Sequence, residues 1–179
     1  YGAALFMATP GTVTGEIILG QLEDIHRNLA DGAPCVIACE AESAPLLKQL
    51  RAIFGNLSVS HDRDGIFCAT VVKRGPLAKP RDFSARFPAS LPGSGETLHL
   101  CSLPGVFCHR RPDAGGLALA EVAARELKPG QRVLDLGCGC GLVGLLLARR
   151  QPGVRVTFVD SPARALAATR RNLDALGVE

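Results

Sequence analysis

The sequence predicts an α/β fold, and three observations carry that prediction. Residues 1–75 run strand, helix, strand, helix and hairpin, an order typical of mixed layers. Further on, a short apolar run opening at Val133 and Leu134 enters a turn rich in glycine, and an apolar helix follows at once. A second short run, Val154 to Val159, comes after that helix and ends in an acid, Asp160. Strand, turn, helix and strand of this kind form a parallel unit whose turn faces a ligand.

In the first third, Ala3 to Thr9 reads as a buried strand closed by Pro10-Gly11. From Thr14 a helix carries Ile18, Leu22, Ile25 and Leu29 on one face and stops at Asp31-Gly32. Cys35 to Cys39 is a short buried strand. Ser43 is placed to cap a second helix, with Pro45 in its first turn and Gly55 at its end after Phe54. Leu57 to Ser60 and Ile66 to Val72 then form a hairpin around His61-Asp62-Arg63-Asp64-Gly65.

Residues 75–97 hold Pro76, Pro80, Pro88 and Pro92 with three glycines and no sustained periodicity, so they read as a linker. The predicted units are therefore 1–74 and 98–179. In the second, Leu98 to Leu103 is a strand, Leu117 to Leu127 a helix, and Leu142 to Ala148 the helix after the glycine turn. Ser161 is expected to cap the last helix, with Pro162 at its first position and Gly177 at its end.

The glycine turn admits two readings. Gly139-Cys140-Gly141-Leu142-Val143-Gly144 satisfies the dinucleotide fingerprint, with Asp160 at about the expected distance to accept hydrogen bonds from ribose hydroxyls. Asp135, two residues before Gly137, favours the other reading. A carboxylate there repels a pyrophosphate but suits a ligand bearing an ammonium or sulfonium group. The N-terminus of the following helix, with its free N–H groups, favours a carboxylate or phosphate of the ligand.

Charge and cysteines limit the remaining classes. Residues 1–90 carry nine basic and nine acidic side chains and residues 91–179 eleven and eight, so the whole net charge of +3 lies in the second half. His109-Arg110-Arg111, Arg149-Arg150 and Arg170-Arg171 suit a polyanion as well as they suit solvated faces. The seven cysteines form no C-x-x-C pair and sit in apolar contexts, so free thiols of a reducing cytoplasm are expected, with neither disulfides nor a metal site. No apolar run reaches the length of about 18 residues that a spanning helix needs, and no signal peptide is visible, so a cytoplasmic protein without membrane contact is expected.

Leu103-Pro104-Gly105-Val106-Phe107, then Asp113-Ala114-Gly115 six residues after Phe107, then Asp135-Leu-Gly-Cys-Gly-Cys-Gly141 resembles a known family. It is similar to the class I S-adenosylmethionine-dependent methyltransferases of the small-domain type, and among them to the ribosomal RNA small subunit methyltransferase C family, which modifies guanine N2. The resemblance covers residues 103–179 well. Residues 1–75 match more loosely, mainly through Ile25-His26-Arg27-Asn28-Leu29 and the element order.

The resemblance implies a Rossmann-like methyltransferase sheet, with 1–74 as the back half of a degenerate domain and 98–179 as the front half of an active-type one. It implies S-adenosylmethionine as cofactor and ribosomal RNA as partner. The backbone of Gly137, Cys138, Gly139 and Gly141 would then pass the methionine portion, with Asp135 beneath. Asp160, followed by Ser161, would hold the ribose, while Asp113 and Gly115 line the cofactor mouth with Phe107 packed behind.

Where a degenerate domain has lost its catalytic Asn/Asp-Pro-Pro-Tyr/Phe loop, this chain has Ala8-Thr9-Pro10-Gly11. The active loop, Asn-Pro-Pro-Phe, is expected beyond Glu179, so no catalytic residue is assigned. The chain is expected to be an inactive fragment with exposed edge strands. Two other classes stay open: an NAD(P)-binding oxidoreductase, and a non-catalytic RNA-binding remnant.

Overall fold

The structure is a computed structural model that describes residues 1–8, 15–40, 42–61 and 66–178. It divides into two compact units, Tyr1–Asp82 and Phe83–Glu179. The elements of the first are β1 (Ala4–Met7), α1 (Gly15–Asn28), β2 (Pro34–Cys39), α2 (Ala44–Phe54), β3 (Ser58–His61) and β4 (Phe67–Val72). They build a four-stranded sheet in the order β1-β2-β4-β3. β1 and β2 are parallel, whereas β2, β4 and β3 pair antiparallel.

Local chemistry explains most of these boundaries. Ser43 Oγ accepts the Leu46 N–H at 3.5 Å, and Gly55 closes α2 in a left-handed conformation at φ 73°. Along β4, Phe67, Ala69 and Val71 are fully buried and alternate with half-buried neighbours, as a strand with one core face must. Leu22, Ile37, Leu50 and Phe67 form the centre of that core.

Glu23 also lies inside, with no exposed surface, and periodicity had not marked it. Its Oε1 accepts the Arg81 Nε–H at 2.6 Å and its Oε2 the Arg81 backbone N–H at 3.0 Å. That pair fastens the end of this unit to α1. β1, expected to be buried, has one covered face only: Leu5 and Met7 point outward and are exposed. Thr9-Pro10-Gly11, Thr14 and the hairpin residues Asp62 to Gly65 lie outside the described residues.

The second unit contains β5 (Ala85–Ala89), β6 (Leu98–Ser102), α3 (Ala114–Glu126), β7 (Arg132–Leu136), α4 (Leu142–Arg150), β8 (Arg155–Val159) and α5 (Ala163–Leu176). β5 falls within the stretch read as a linker. It pairs antiparallel with β6, with Phe87 against Leu100 and Pro88 against His99. Phe87 and Ala89 are buried while Pro88 faces out, so the strand tolerates a proline that lacks a donor.

β7 and β8 pair in parallel, and α4 crosses over them. Gly144 permits that crossing. A Cβ there would lie 2.7 Å from Val156 Cγ1 and 2.9 Å from Asp135 Oδ2, and would overlap the Phe158 ring. β7, expected as a buried strand, is covered on one side: Leu134 and Leu136 on the other are 62% and 76% exposed.

α3 begins three residues earlier than its apolar pattern suggested. Asp113 caps it, Oδ2 accepting the Gly116 N–H at 2.7 Å, so the Gly115-Gly116 pair is helical. Ser161 does not cap α5. Pro162 occupies the cap position with no side-chain hydrogen bond, and Ser161 N–H instead donates to Asp160 Oδ1 at 2.8 Å. Among the described residues no helix is long and apolar enough to cross a membrane.

Candidate functional site

The second unit holds an open cleft of about 220 Å³ at the carboxyl end of β7 and β8. This is where parallel α/β units place their ligands. One wall is the glycine turn, with Gly137, Cys138, Gly139 and Cys140, followed by Leu142 and Val143 at the start of α4. Asp160, Pro162 and Ala165 form the side below it. The opposite rim is the loop Gly105 to Cys108 with Arg111, Asp113 and Gly116.

The turn is built by positive backbone angles. Gly137 and Gly139 stand at φ 78° and 58°, a region that side chains with a Cβ avoid. Gly137 and Cys138 both donate their N–H groups to the Val159 carbonyl, at 2.8 and 3.1 Å, which pins the turn onto the end of β8. Gly139 N–H donates to Asp160 Oδ2 at 2.7 Å. Asp160 therefore holds one backbone N–H on each oxygen, and each oxygen keeps a further lone pair for a ligand hydroxyl. Gly141, at φ 85°, is the N-cap of α4 and supplies no side chain, so the first-turn amides of that helix have no side-chain acceptor from the cap.

Asp135 behaves differently from the sequence reading. It is buried, does not line the cleft, and its Oδ2 accepts the Gly144 N–H at 2.9 Å. The reason is local: α4 starts directly above it, and the helix amide claims the carboxylate. Burial pushes its pKa up against the pull of the Gly144 hydrogen bond, and the Asp160 charge adds to the rise. Its carboxylate thus sits under the turn and does not face a ligand in the cleft directly.

Of the other residues singled out from sequence, Asp113, Gly137, Cys138, Gly139 and Asp160 meet around the cleft. Gly115, Gly141 and Ser161 are not on its wall; Gly116 takes the place expected for Gly115. Phe107, expected behind Asp113, is 78% exposed on the rim. Cys108 beside it has the positive φ of 52°.

Burial pushes the Cys140 thiol up to about 11 and raises Cys138 as well, so neither thiol is an activated nucleophile at neutral pH. Among the described residues no group of three His, Cys, Asp or Glu side chains is arranged to hold a metal ion.

Two polar side chains of this unit had no signal in the sequence. Thr169 and Asn172 on α5 are buried and bond to the carbonyls of the glycine turn. Their partners lie about thirty residues away, beyond the reach of any local pattern.

Residues 97–179 match the methyltransferase small domain. Over 133 residues the chain is 38% identical to ribosomal RNA small subunit methyltransferase C of Pseudomonas putida, an alignment covering 74% of this chain and 39% of that protein. Its second unit is thus similar to the methyltransferase small domain. A relative of the same name from Pseudomonas entomophila is 39% identical over 133 residues, covering the same shares of both chains.

Among solved structures, the T. thermophilus 16S rRNA N2 methyltransferase in complex with AdoMet and guanosine superposes with a TM-score of 0.80. That match covers 100% of this chain and 48% of the solved one at 23% identity, a likeness of fold. The chain therefore has the α/β, Rossmann-like fold of that solved structure. It spans about two fifths of the length of the curated relatives it matches, 39% in the first two cases. The match to the methyltransferase small domain lies in the second unit, the one that contains the cleft.

Proposed function

We propose that the cleft of the second unit binds S-adenosylmethionine and that the protein transfers its methyl group to guanine N2 of ribosomal RNA. The observation that carries this reading is the pairing of Gly139 with Asp160 at the cleft, inside the stretch that matches the methyltransferase small domain. The donor set fits the cofactor. Asp160 keeps lone pairs for two ribose hydroxyls, the turn lets a ligand approach backbone closely, and the start of α4 favours a carboxylate. Asp113 and Asp160 at the cleft, with Asp135 beneath the turn, make the surroundings favourable to a cation.

S-adenosylmethionine supplies an electrophilic methyl group on a sulfonium. The residues of this chain bind and orient it: Asp160 holds the ribose, the turn from Gly137 to Gly141 supports the amino-acid end, and Asp113 closes the mouth. Such catalysis works through positioning and electrostatics more than through proton transfer. Ribosomal RNA as substrate draws on the names of the curated relatives, and guanine N2 on the superposed 16S rRNA N2 methyltransferase with its guanosine. The domain reading draws on the same fold match: 1–74 as the back half of a degenerate methyltransferase domain, and the second unit as the front half of an active-type one.

Transfer of tritium from labelled S-adenosylmethionine to under-modified ribosomal RNA by the full-length protein tests the activity. Label in the N2-methylguanine fraction is the expected result. No label in any RNA, with thermal stabilisation by NADH, would replace the reading with a dinucleotide site. Salt-sensitive RNA binding that survives Asp160→Ala, without transfer, would leave an RNA-binding remnant.

A further inference from the structure

Helix α5 places Ala165, Ala168, Thr169 and Asn172 on one face, and all four are buried. The two polar members sit behind the glycine turn, and Asn172 also reaches β6. Thr169 Oγ1 donates to the Gly139 carbonyl at 3.0 Å and lies 3.7 Å from Cys138 Sγ. Asn172 Nδ2 donates to the Cys140 carbonyl and to the Cys101 carbonyl, both at 2.8 Å. Its Oδ1 accepts the Cys101 N–H at 2.7 Å.

Every N–H of the Asn172 amide is thus used, and its oxygen completes Cys101 as a neighbouring strand would. Cys101 belongs to β6, which runs straight into the rim loop that carries Gly105 to Arg111. Cys140 belongs to the glycine turn on the other wall. One buried amide, 1% exposed, therefore ties the glycine turn to the strand that leads into the opposite rim. Thr169, 2% exposed, holds the carbonyl of the residue whose N–H is held by Asp160. Gly139 is clamped at both ends of its backbone.

We propose that Thr169 and Asn172 are positioning residues: they set the width of the cleft and keep the Gly139 N–H on Asp160, and so control cofactor affinity without touching the cofactor. The proposal rests on the reading of the cleft as an S-adenosylmethionine site. Buried hydrogen-bond networks of this kind rigidify what they connect, and a site held within a fraction of an ångström depends on the groups behind it.

The test is calorimetric titration of the full chain with S-adenosylhomocysteine, beside a melting curve for each variant. Thr169→Ser keeps the hydroxyl and binds within about threefold of wild type, while Thr169→Val keeps the shape, loses the donor and binds about tenfold more weakly, the loss typical of one hydrogen bond. Asn172→Asp keeps the acceptor for Cys101 but turns a carboxylate toward two carbonyls, and its affinity falls further.

Equal affinity of the Ser and Val variants would overturn the proposal, whether both match wild type or both fall together. That result assigns Thr169 to packing alone. If Asn172→Asp does not fold, the Thr169 pair decides. A wild-type chain that binds NADH but not S-adenosylhomocysteine would refute the reading of the cleft itself, and the proposal with it.

Discussion

Gly144→Ala tests the geometry under the glycine turn. The new methyl would sit 2.7 Å from Val156 Cγ1 and 2.9 Å from Asp135 Oδ2, inside the Phe158 ring's contact shell. Ordinary contact with these atoms begins near 3.4 Å. α4 must therefore move off the β7–β8 sheet by the greater part of an ångström, and the Gly144 N–H moves away from Asp135 with it. Overpacking of a core costs about 1–3 kcal/mol, and a strained buried hydrogen bond about 1 kcal/mol more. We expect a loss of about 2–4 kcal/mol, which for a unit of this size lowers Tm by roughly 10–25 °C.

Gly115→Ala is the control. It lies in the first turn of α3, where a Cβ meets only Asp113 Oδ2 at 3.3 Å. Its effect should fall within about 1 kcal/mol, towards stabilisation, from helix propensity. Urea denaturation and calorimetric melting of both variants supply the comparison. A Gly144→Ala protein within about 0.5 kcal/mol of wild type, the usual scale of a surface change, would refute the packing argument.

Other consequences concern buried charge. His26 is buried in the first unit with its ring edge-on to Phe54, and its pKa is lowered by burial first, then by Lys73, against the opposing pull of Asp31 and Glu23. Its neutral form is favoured in the fold, so the stability it lends is present above 6.5 and is lost as pH falls through the lowered value. His26→Leu should flatten the pH dependence of urea unfolding below 6.5, and an unchanged slope would exclude His26 as its source.

Asp135 has the opposite sense: its raised pKa makes its contribution greatest below 3.8, and that contribution is lost as pH rises through the raised value. Asp135→Asn keeps an acceptor for the Gly144 N–H and removes the buried charge. It should equal or exceed wild type in Tm at pH 7, and a fall of more than a few degrees would contradict that. Glu23→Ala removes two of the acceptors that hold Arg81, leaving Gln49 Oε1, and should speed tryptic cleavage after Arg81 several-fold, measured by mass spectrometry; unchanged cleavage would show that the pair does not hold this segment.

The parts of the fold that local chemistry controls were legible in the sequence. Ser43 and Gly55 bracket α2 because capping acts within four residues. The glycine turn and Asp160 were legible because their spacing is fixed by one strand–helix–strand unit. β5 was hidden because Pro88 and the surrounding glycines outweighed the alternation of Phe87, Ala89 and Leu91, all buried.

The direction of Asp135 was also hidden, since spacing places a side chain on a strand without saying which backbone amide will meet it. Thr169, Asn172 and Glu23 act over 30 to 71 residues, and only the fold brings their partners near. Leu134 and Leu136 show the limit of composition. An apolar run suggested burial on both faces, yet in this chain one face of β7 is covered.

The most direct test of the central claim is titration of S-adenosylhomocysteine into the wild-type chain and into Asp160→Ala. Saturable binding by wild type and at least tenfold weaker binding by the variant are expected, because the alanine removes the proposed ribose acceptor and releases the Gly139 N–H. Equal affinity of the two proteins, or no binding by wild type, would contradict the assignment of this cleft to the cofactor.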